Sequence, residues 1–204
     1  MGARLLVPVA DLLGQGQRLS VLGAGLGLVA AGLALMTNVA PSSQWTALLA
    51  GFILAGAGSG LVNPALASAA IGTVNEELAG VGSGVNNTAR QVGIAAGIAA
   101  LGAVFQSRVH SVLVAQLAHS APQLGARREA IAQQVSAGDP THAMQSVPAP
   151  LRAQVADSLR VAFVSGFDRI LWISAAVSLA GAILAVVLVR QRDFVTTSAA
   201  AVPA

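Results

Sequence analysis

Between Arg18 and Glu76 the chain runs for 57 residues without a charge. A helix needs about 20 residues to cross the roughly 30 Å hydrocarbon core of a bilayer. The run therefore holds two spans and a turn, and Asn38-Val-Ala-Pro-Ser-Ser-Gln44 carries the turn chemistry. The pattern predicts spans over Leu19 to Thr37 and Trp45 to Gly72. Glu76 and Glu77 oblige the segment from Thr73 to Gly80 to reach water or headgroups. A third span is predicted from Val81 to Gln106. A last transmembrane helix is predicted over 166–190, in which Ile170 to Val189 is uncharged and ends at Arg190 and Arg192.

The stretch 107–165 is more polar. It holds all three His residues and breakers at Pro122, Gly138-Asp139-Pro140, Pro148 and Pro150. Leu151, Val155, Leu159 and Phe163 recur at four-residue spacing, one apolar stripe on a helix. The stretch is expected to be an external loop with short amphipathic helices, lying at the membrane surface against the bundle. Residues 1–18 form a lead-in, and 191–204 form a tail that is expected to be disordered where it turns Ala-rich.

Composition agrees with lipid as the solvent. The chain is 55% hydrophobic and 9% charged, with a mean hydropathy of +0.73, whereas soluble domains carry about 25% charge. The expected fold class is all-α integral membrane, with about four transmembrane helices. Its partner is then the lipid bilayer. All 11 basic residues are Arg, and the longest basic run is Arg127-Arg128. A nucleic-acid footprint needs a clustered stripe or patch, so nucleic acid is not an expected partner. The absence of Cys excludes disulfides and thiolate sites. His110, His119 and His142 lack metal-ligand spacing, and no nucleophile, base and orienter can be assembled in the spans. Neither a cofactor nor an enzymatic activity is expected. Asp168, at the mouth of the last span, reads as a headgroup-level helix cap.

Three Gly-x-Gly-x-Gly runs begin at Gly23, Gly56 and Gly80. None has the third glycine of a dinucleotide fingerprint, and none follows a strand. In lipid, Gly23 with Gly27, Gly56 with Gly60, and Gly93 with Gly97 are small-xxx-small pairs that let helix backbones approach. Asn63-Pro64 lies inside the second span. Pro removes a helix hydrogen bond, and Asn63 is placed to help satisfy the freed carbonyl. The pair is either a tolerated kink or a hinge lining a substrate path. Arg90 lies about 13 Å along the third span, where a charge costs ~2.5–3.5 kcal/mol on insertion scales. Asn86, Arg90, Gly93 and Gly97 share one helix face, with Asn87 and Gln91 beside it. Arg90 either bonds neighbouring helix carbonyls or serves gating and substrate passage.

Charge leaves orientation open. Arg4, Arg18, Arg190 and Arg192 mark the side of the termini as cytoplasmic, but Arg108, Arg152, Arg160 and Arg169 flank the opposite ends. Trp45 and Trp172 fall near the outer ends, as interfacial aromatics do.

Gly82-Ser-Gly-Val-Asn-Asn-Thr-Ala-Arg-Gln-Val-Gly93, followed by Ile-Ala-Ala-Gly-Ile-Ala-Ala-Leu-Gly-Ala-Val-Phe105, resembles the penultimate helix of fourteen-helix drug/proton antiporters of the major facilitator superfamily (EmrB/QacA type). Gly56-Ala-Gly-Ser-Gly-Leu-Val-Asn-Pro64 is similar to the helix before it, and Ala162-Phe163-Val-Ser-Gly166-Phe167 to the external loop entering the last helix. Asp11-Leu-Leu-Gly14-Gln-Gly-Gln-Arg18 looks like a degenerate Asp-Arg-x-Gly-x-Arg loop, with Leu12 where the family has Arg.

The resemblance implies part of a facilitator-type C-terminal bundle, a cytoplasmic C-terminus, and 107–165 outside. It covers only the family's last four helices. Alternating access rocks one half of such a transporter against the other about a midplane site, so four helices are expected to be inactive alone. The implied partners are the missing N-terminal half and, in the full-length form, hydrophobic or cationic small molecules and protons. The chain is then a truncated product, a mis-called start or one part of a split transporter in the bacterial inner membrane. The alternatives are a free-standing four-helix protein acting through partner binding and a facilitator carrier of metabolites.

Overall fold

The computed structural model describes residues 15–37, 45–72 and 76–188. The lead-in up to residue 14, the turn at 38–44 and the tail from 189 lie outside the described residues, as do Arg190 and Arg192. All regular structure among the described residues is helical: α1 (Gln15–Leu35), α2 (Leu49–Gly72), α3 (Ala79–Ser120), α4 (Arg127–Ser136), α5 (Pro140–Gln145) and α6 (Arg152–Leu188). Single 3-10 turns at Trp45–Leu48, Glu76–Leu78, Pro122–Leu124 and Ala149–Leu151 lead into or link them.

Among the described residues three stretches, Leu49–Ala67, Ala79–Ser120 and Ala149–Val187, are long and apolar enough to cross a membrane. The span expected over Leu19 to Thr37 is helical, and its described apolar stretch, Val21–Leu35, is shorter than those three.

Two boundaries differ from the sequence expectation. Helix α3 does not stop at Gln106 but runs to Ser120, and α6 begins at Arg152 instead of near 166. Proline spacing explains both. No Pro stands between Pro64 and Pro122, and none between Pro150 and Pro203, so nothing in the backbone interrupts either helix. At 42 and 37 residues, α3 and α6 measure about 63 and 55 Å, well beyond the roughly 30 Å hydrocarbon core. Asp168 therefore sits inside α6 and is not a cap. The cap in this region is Asp139, whose side chain accepts the His142 N–H at 3.1 Å, with Pro140 following as the first helical residue.

The chain divides into two compact units. Of the described residues, the first comprises 15–32, 53–72, 76–93 and 176–188. In it α1 packs on α2 at a glycine crossing. A Cβ added to Gly58 would stand 2.5 Å from the Gly25 carbonyl oxygen and 2.8 Å from the Val29 nitrogen. One added to Gly25 would stand 2.8 Å from the Val62 side chain. On another side of α1, Ser178 Oγ of α6 donates to the Leu26 carbonyl at 3.0 Å. A Cβ on Gly23 would meet Val186 at 2.6 Å. Small residues and a Ser-to-backbone hydrogen bond are the means by which helices associate where lipid removes the hydrophobic drive.

The second unit comprises residues 33–52 and 94–175. Here the extension of α3 past residue 106 pairs with the start of α6, and the segment between them folds as a small helical headpiece. Val109, Leu113 and Leu117 of α3, spaced four apart, meet Val155 and Ala162 of α6. Leu124, Ile131, Ala132, Ala143 and Val147 close the core from the connecting segment. Ser120 and Ser158 join their hydroxyls at 2.9 Å. Phe105 and Phe163 stack edge to face with centroids 5.3 Å apart. Arg108 Nε donates to Ser165 Oγ at 3.0 Å.

The link from α4 to α5 is fixed by its backbone. Gly138, at φ +95°, donates to the Val135 carbonyl, and Asp139 N–H donates to that of Gln134. These two bonds are the glycine-terminated Schellman pattern. Within the stretch 107–165, expected as an external loop with short amphipathic helices, α4 and α5 are such short helices, and the ends of the stretch belong to α3 and α6.

Candidate functional site

The first half of α3 combines an apolar helix with polar chemistry. At 3.6 residues per turn, Ser83, Asn86, Arg90, Gly93 and Gly97 fall on one face, with Asn87 and Gln91 beside it. Val81, Val85 and Val92 lie towards the other side. Arg90, Asn87, Gln91, Ser83 and Gly93 are exposed, while Asn86 and Gly97 are half-buried. Val81, Val85, Val92, Ile94 and Ile98 are 48–70% exposed. Only 6% of the most apolar stretch of α3 is buried.

Among the described residues Arg90 forms no side-chain hydrogen bond or ion pair, and neither do Arg127, Arg128 and Arg169, while Arg108 and Arg152 are bonded to Ser165 Oγ and the Val147 carbonyl, and Arg160 approaches Asp157 at 3.7 Å. A Cβ placed on Gly93 or Gly97 would find no atom within 4 Å. The face thus holds one cation, three amides and a glycine track, and among the described residues this chain supplies nothing within reach of the cation or the two glycines.

The remaining sequence-predicted residues lie on α2. Asn63 is exposed and its Nδ2 donates to the Ser59 carbonyl at 3.0 Å. That carbonyl lies one residue before the Gly60 carbonyl that Pro64 leaves without its usual donor. Helix α2 continues through Pro64 to Gly72. Gly56 and Gly60 face open space, and the close approach falls on Gly58, the middle glycine of the same run. The structure therefore brings Asn86, Arg90, Gly93 and Gly97 onto one open face and leaves Asn63, Pro64, Gly56 and Gly60 on a separate helix.

The crossing at Gly25 and Gly58, and the contact of Gly166 with Phe105 and Val109, are not singled out by the sequence. Their signal is present in the glycine runs, but a run does not say which glycine faces a neighbour.

Elsewhere, His110 Nε2 lies 3.2 Å from Glu129 Oε1, and His142 Nδ1 lies 3.3 Å from Asp139 Oδ2. Among the described residues no three of His, Cys, Asp and Glu gather as a metal site.

No family model, curated relative or solved structure matches the chain.

Proposed function

We propose that the chain is the C-terminal, four-helix portion of a proton-coupled major facilitator exporter of hydrophobic or cationic compounds, seated in the bacterial inner membrane. On this reading α1, α2, α3 and α6 cross the membrane, the headpiece stands outside, and the other half of the transporter completes the bundle. One observation carries the proposal: a guanidinium on a helix of membrane-spanning length has no partner among the described residues. A charge at that depth is tolerated where it faces a bundle interior or an aqueous cavity. Exposed Arg90, the neighbouring amides and the uncovered glycines thus support a bundle larger than four helices. The resemblance of Gly82 to Phe105 supports its identity as a drug antiporter.

The test is complementation. Residues 1–204, co-expressed with the first ten helices of a fourteen-helix antiporter, restore efflux of a hydrophobic cationic dye that neither part exports alone. In the complete transporter, Arg90→Ala lowers efflux more than it lowers protein abundance. Unchanged efflux at normal abundance removes Arg90 from the transport path, and no restored efflux from any pairing removes the exporter.

A free-standing protein that acts by binding partners is the second reading, favoured by the headpiece's own apolar core. A coding region immediately upstream that supplies about ten helices decides for the exporter. Its absence, together with stable expression of the chain alone, decides for the second reading. Export assays of the complete form with metabolites separate a metabolite carrier from a drug exporter.

A further inference from the structure

We propose that the polar face of α3 is a docking surface for a transmembrane helix that carries a carboxylate at the depth of Arg90, and not for a second copy of this chain. The inference rests on the membrane reading above and deepens it by naming the partner's chemistry.

Three features choose the occupant. The first is charge. Arg90 is exposed and unpaired among the described residues, and an intramembrane cation is satisfied by a carboxylate or by freed backbone carbonyls. A carboxylate offers the guanidinium two parallel hydrogen bonds as well as charge. The second is shape. Gly93 and Gly97 sit one and two turns beyond Arg90 on the same face, with open space where their side chains would be. A second helix can therefore approach closely enough for a short Asp or Glu side chain to reach the guanidinium. The third is symmetry. A two-fold dimer through this face sets the same patch against itself, and near its axis Arg90 would meet Arg90. Like charges in a medium of low dielectric oppose that pairing. Asn86, Asn87 and Gln91 add amide donors and acceptors that a polar partner helix can use and lipid tails cannot.

The chain lacks Cys, so one engineered thiol reports on the helix. Ala99 is exposed on the side of α3 away from Arg90, and Ala99→Cys takes a fluorescent acceptor without touching the proposed face. The full chain is reconstituted in phosphatidylcholine vesicles. It is titrated at pH 8 with a donor-labelled synthetic helix of about 24 Leu and Ala residues bearing a single central Asp, or Leu at that position.

The Asp helix is expected to associate about tenfold more tightly than the Leu helix, the scale of polar contacts between transmembrane peptides. Arg90→Leu abolishes that preference, and Arg90→Lys retains part of it. Equal binding of the two helices, a preference that survives Arg90→Leu, or energy transfer between copies of the chain that depends on Arg90 overturns the proposal. The membrane reading fails separately, if the unlabelled Ala99→Cys variant reacts with a membrane-impermeant maleimide before any helix is added.

Discussion

The headpiece and the apolar lengths of α2, α3 and α6 are built from similar residues arranged in opposite ways. In the headpiece Leu113, Leu117 and Val155 are fully buried, and the polar side chains turn outward except Ser158, which is buried and bonded to Ser120. Along the apolar lengths Phe52, Ile53, Ile98, Val177 and Ile183 are each more than half exposed, and the close contacts are made by Gly23, Gly25 and Gly58. Water drives the first arrangement, because burying a Leu is favourable by about 1.5–3 kcal/mol when the alternative is solvent. On the membrane reading proposed above, lipid removes that drive, since its tails are as apolar as Leu, and association falls to close packing and hydrogen bonds. One chain thus follows two sets of rules, and the change occurs within continuous helices. On α3 the exposed Ile98 precedes the buried Val109 by three turns.

Matched truncations put the contrast under the greatest strain. Leu113→Ala should destabilise the headpiece by about 2–5 kcal/mol, the cost of deleting buried methyl groups and leaving a cavity. Ile98→Ala in the exposed apolar stretch should change stability by no more than about 0.5 kcal/mol. Hydrogen exchange of the reconstituted chain, read at residues 109–120 and 152–162, measures both. Equal effects would mean that the two regions share one solvent.

The next effect reverses the roles, with the smallest residues carrying the packing. Gly58→Ala drives a methyl group into the Gly25 carbonyl and the Val29 nitrogen. Backbone atoms cannot rotate away, so the α1–α2 crossing must open, at about 1–3 kcal/mol, as overpacking typically costs. Gly60→Ala, two residues along the same run, meets nothing within 4 Å and should be neutral or slightly stabilising through better helix propensity. Cross-linking between α1 and α2 in vesicles distinguishes the two. A loss with Gly60→Ala equal to that with Gly58→Ala would place the crossing elsewhere.

Part of this is legible in the sequence. The uncharged runs mark α2, the first half of α3 and the second half of α6, because a bilayer crossing imposes a length that polarity alone reveals. The face shared by Asn86, Arg90, Gly93 and Gly97 follows from helical period. The start of α6 is legible in the Leu151, Val155, Leu159, Phe163 stripe, but its continuity with the last span and the extension of α3 are masked because Arg108, His110 and the other polar residues between 107 and 165 resemble loop composition. The Val109, Leu113, Leu117 stripe nevertheless announces a helix with one side to bury, and the proline-free stretches on either side allow it. The choice of Gly58 over Gly56 and Gly60 is not legible, since it depends on the rotation of α2 against α1. Nor can spacing alone identify what meets Arg90, because nothing among the described residues does.

The smallest expected effect separates core from surface within the headpiece itself. His110 Nε2 and Glu129 Oε1 lie 3.2 Å apart and link α3 to α4, with the Glu side chain 56% exposed and the His 30%. Exposed pairs of this kind contribute about 0–1 kcal/mol, because water and salt screen the charges and both side chains lose freedom in pairing. Glu129→Gln keeps a hydrogen-bond acceptor and removes the charge. It should therefore raise exchange across Arg127–Ser136 by no more than about fivefold, the factor equivalent to 1 kcal/mol. The buried neighbours Ile131 and Ala132 hold α4 in place whichever side chain stands at 129. A response as large as that of Leu113→Ala would show that this His–Glu contact, and not the apolar cluster, fixes the connecting helices, and the headpiece would then no longer follow the rules of a water-facing core.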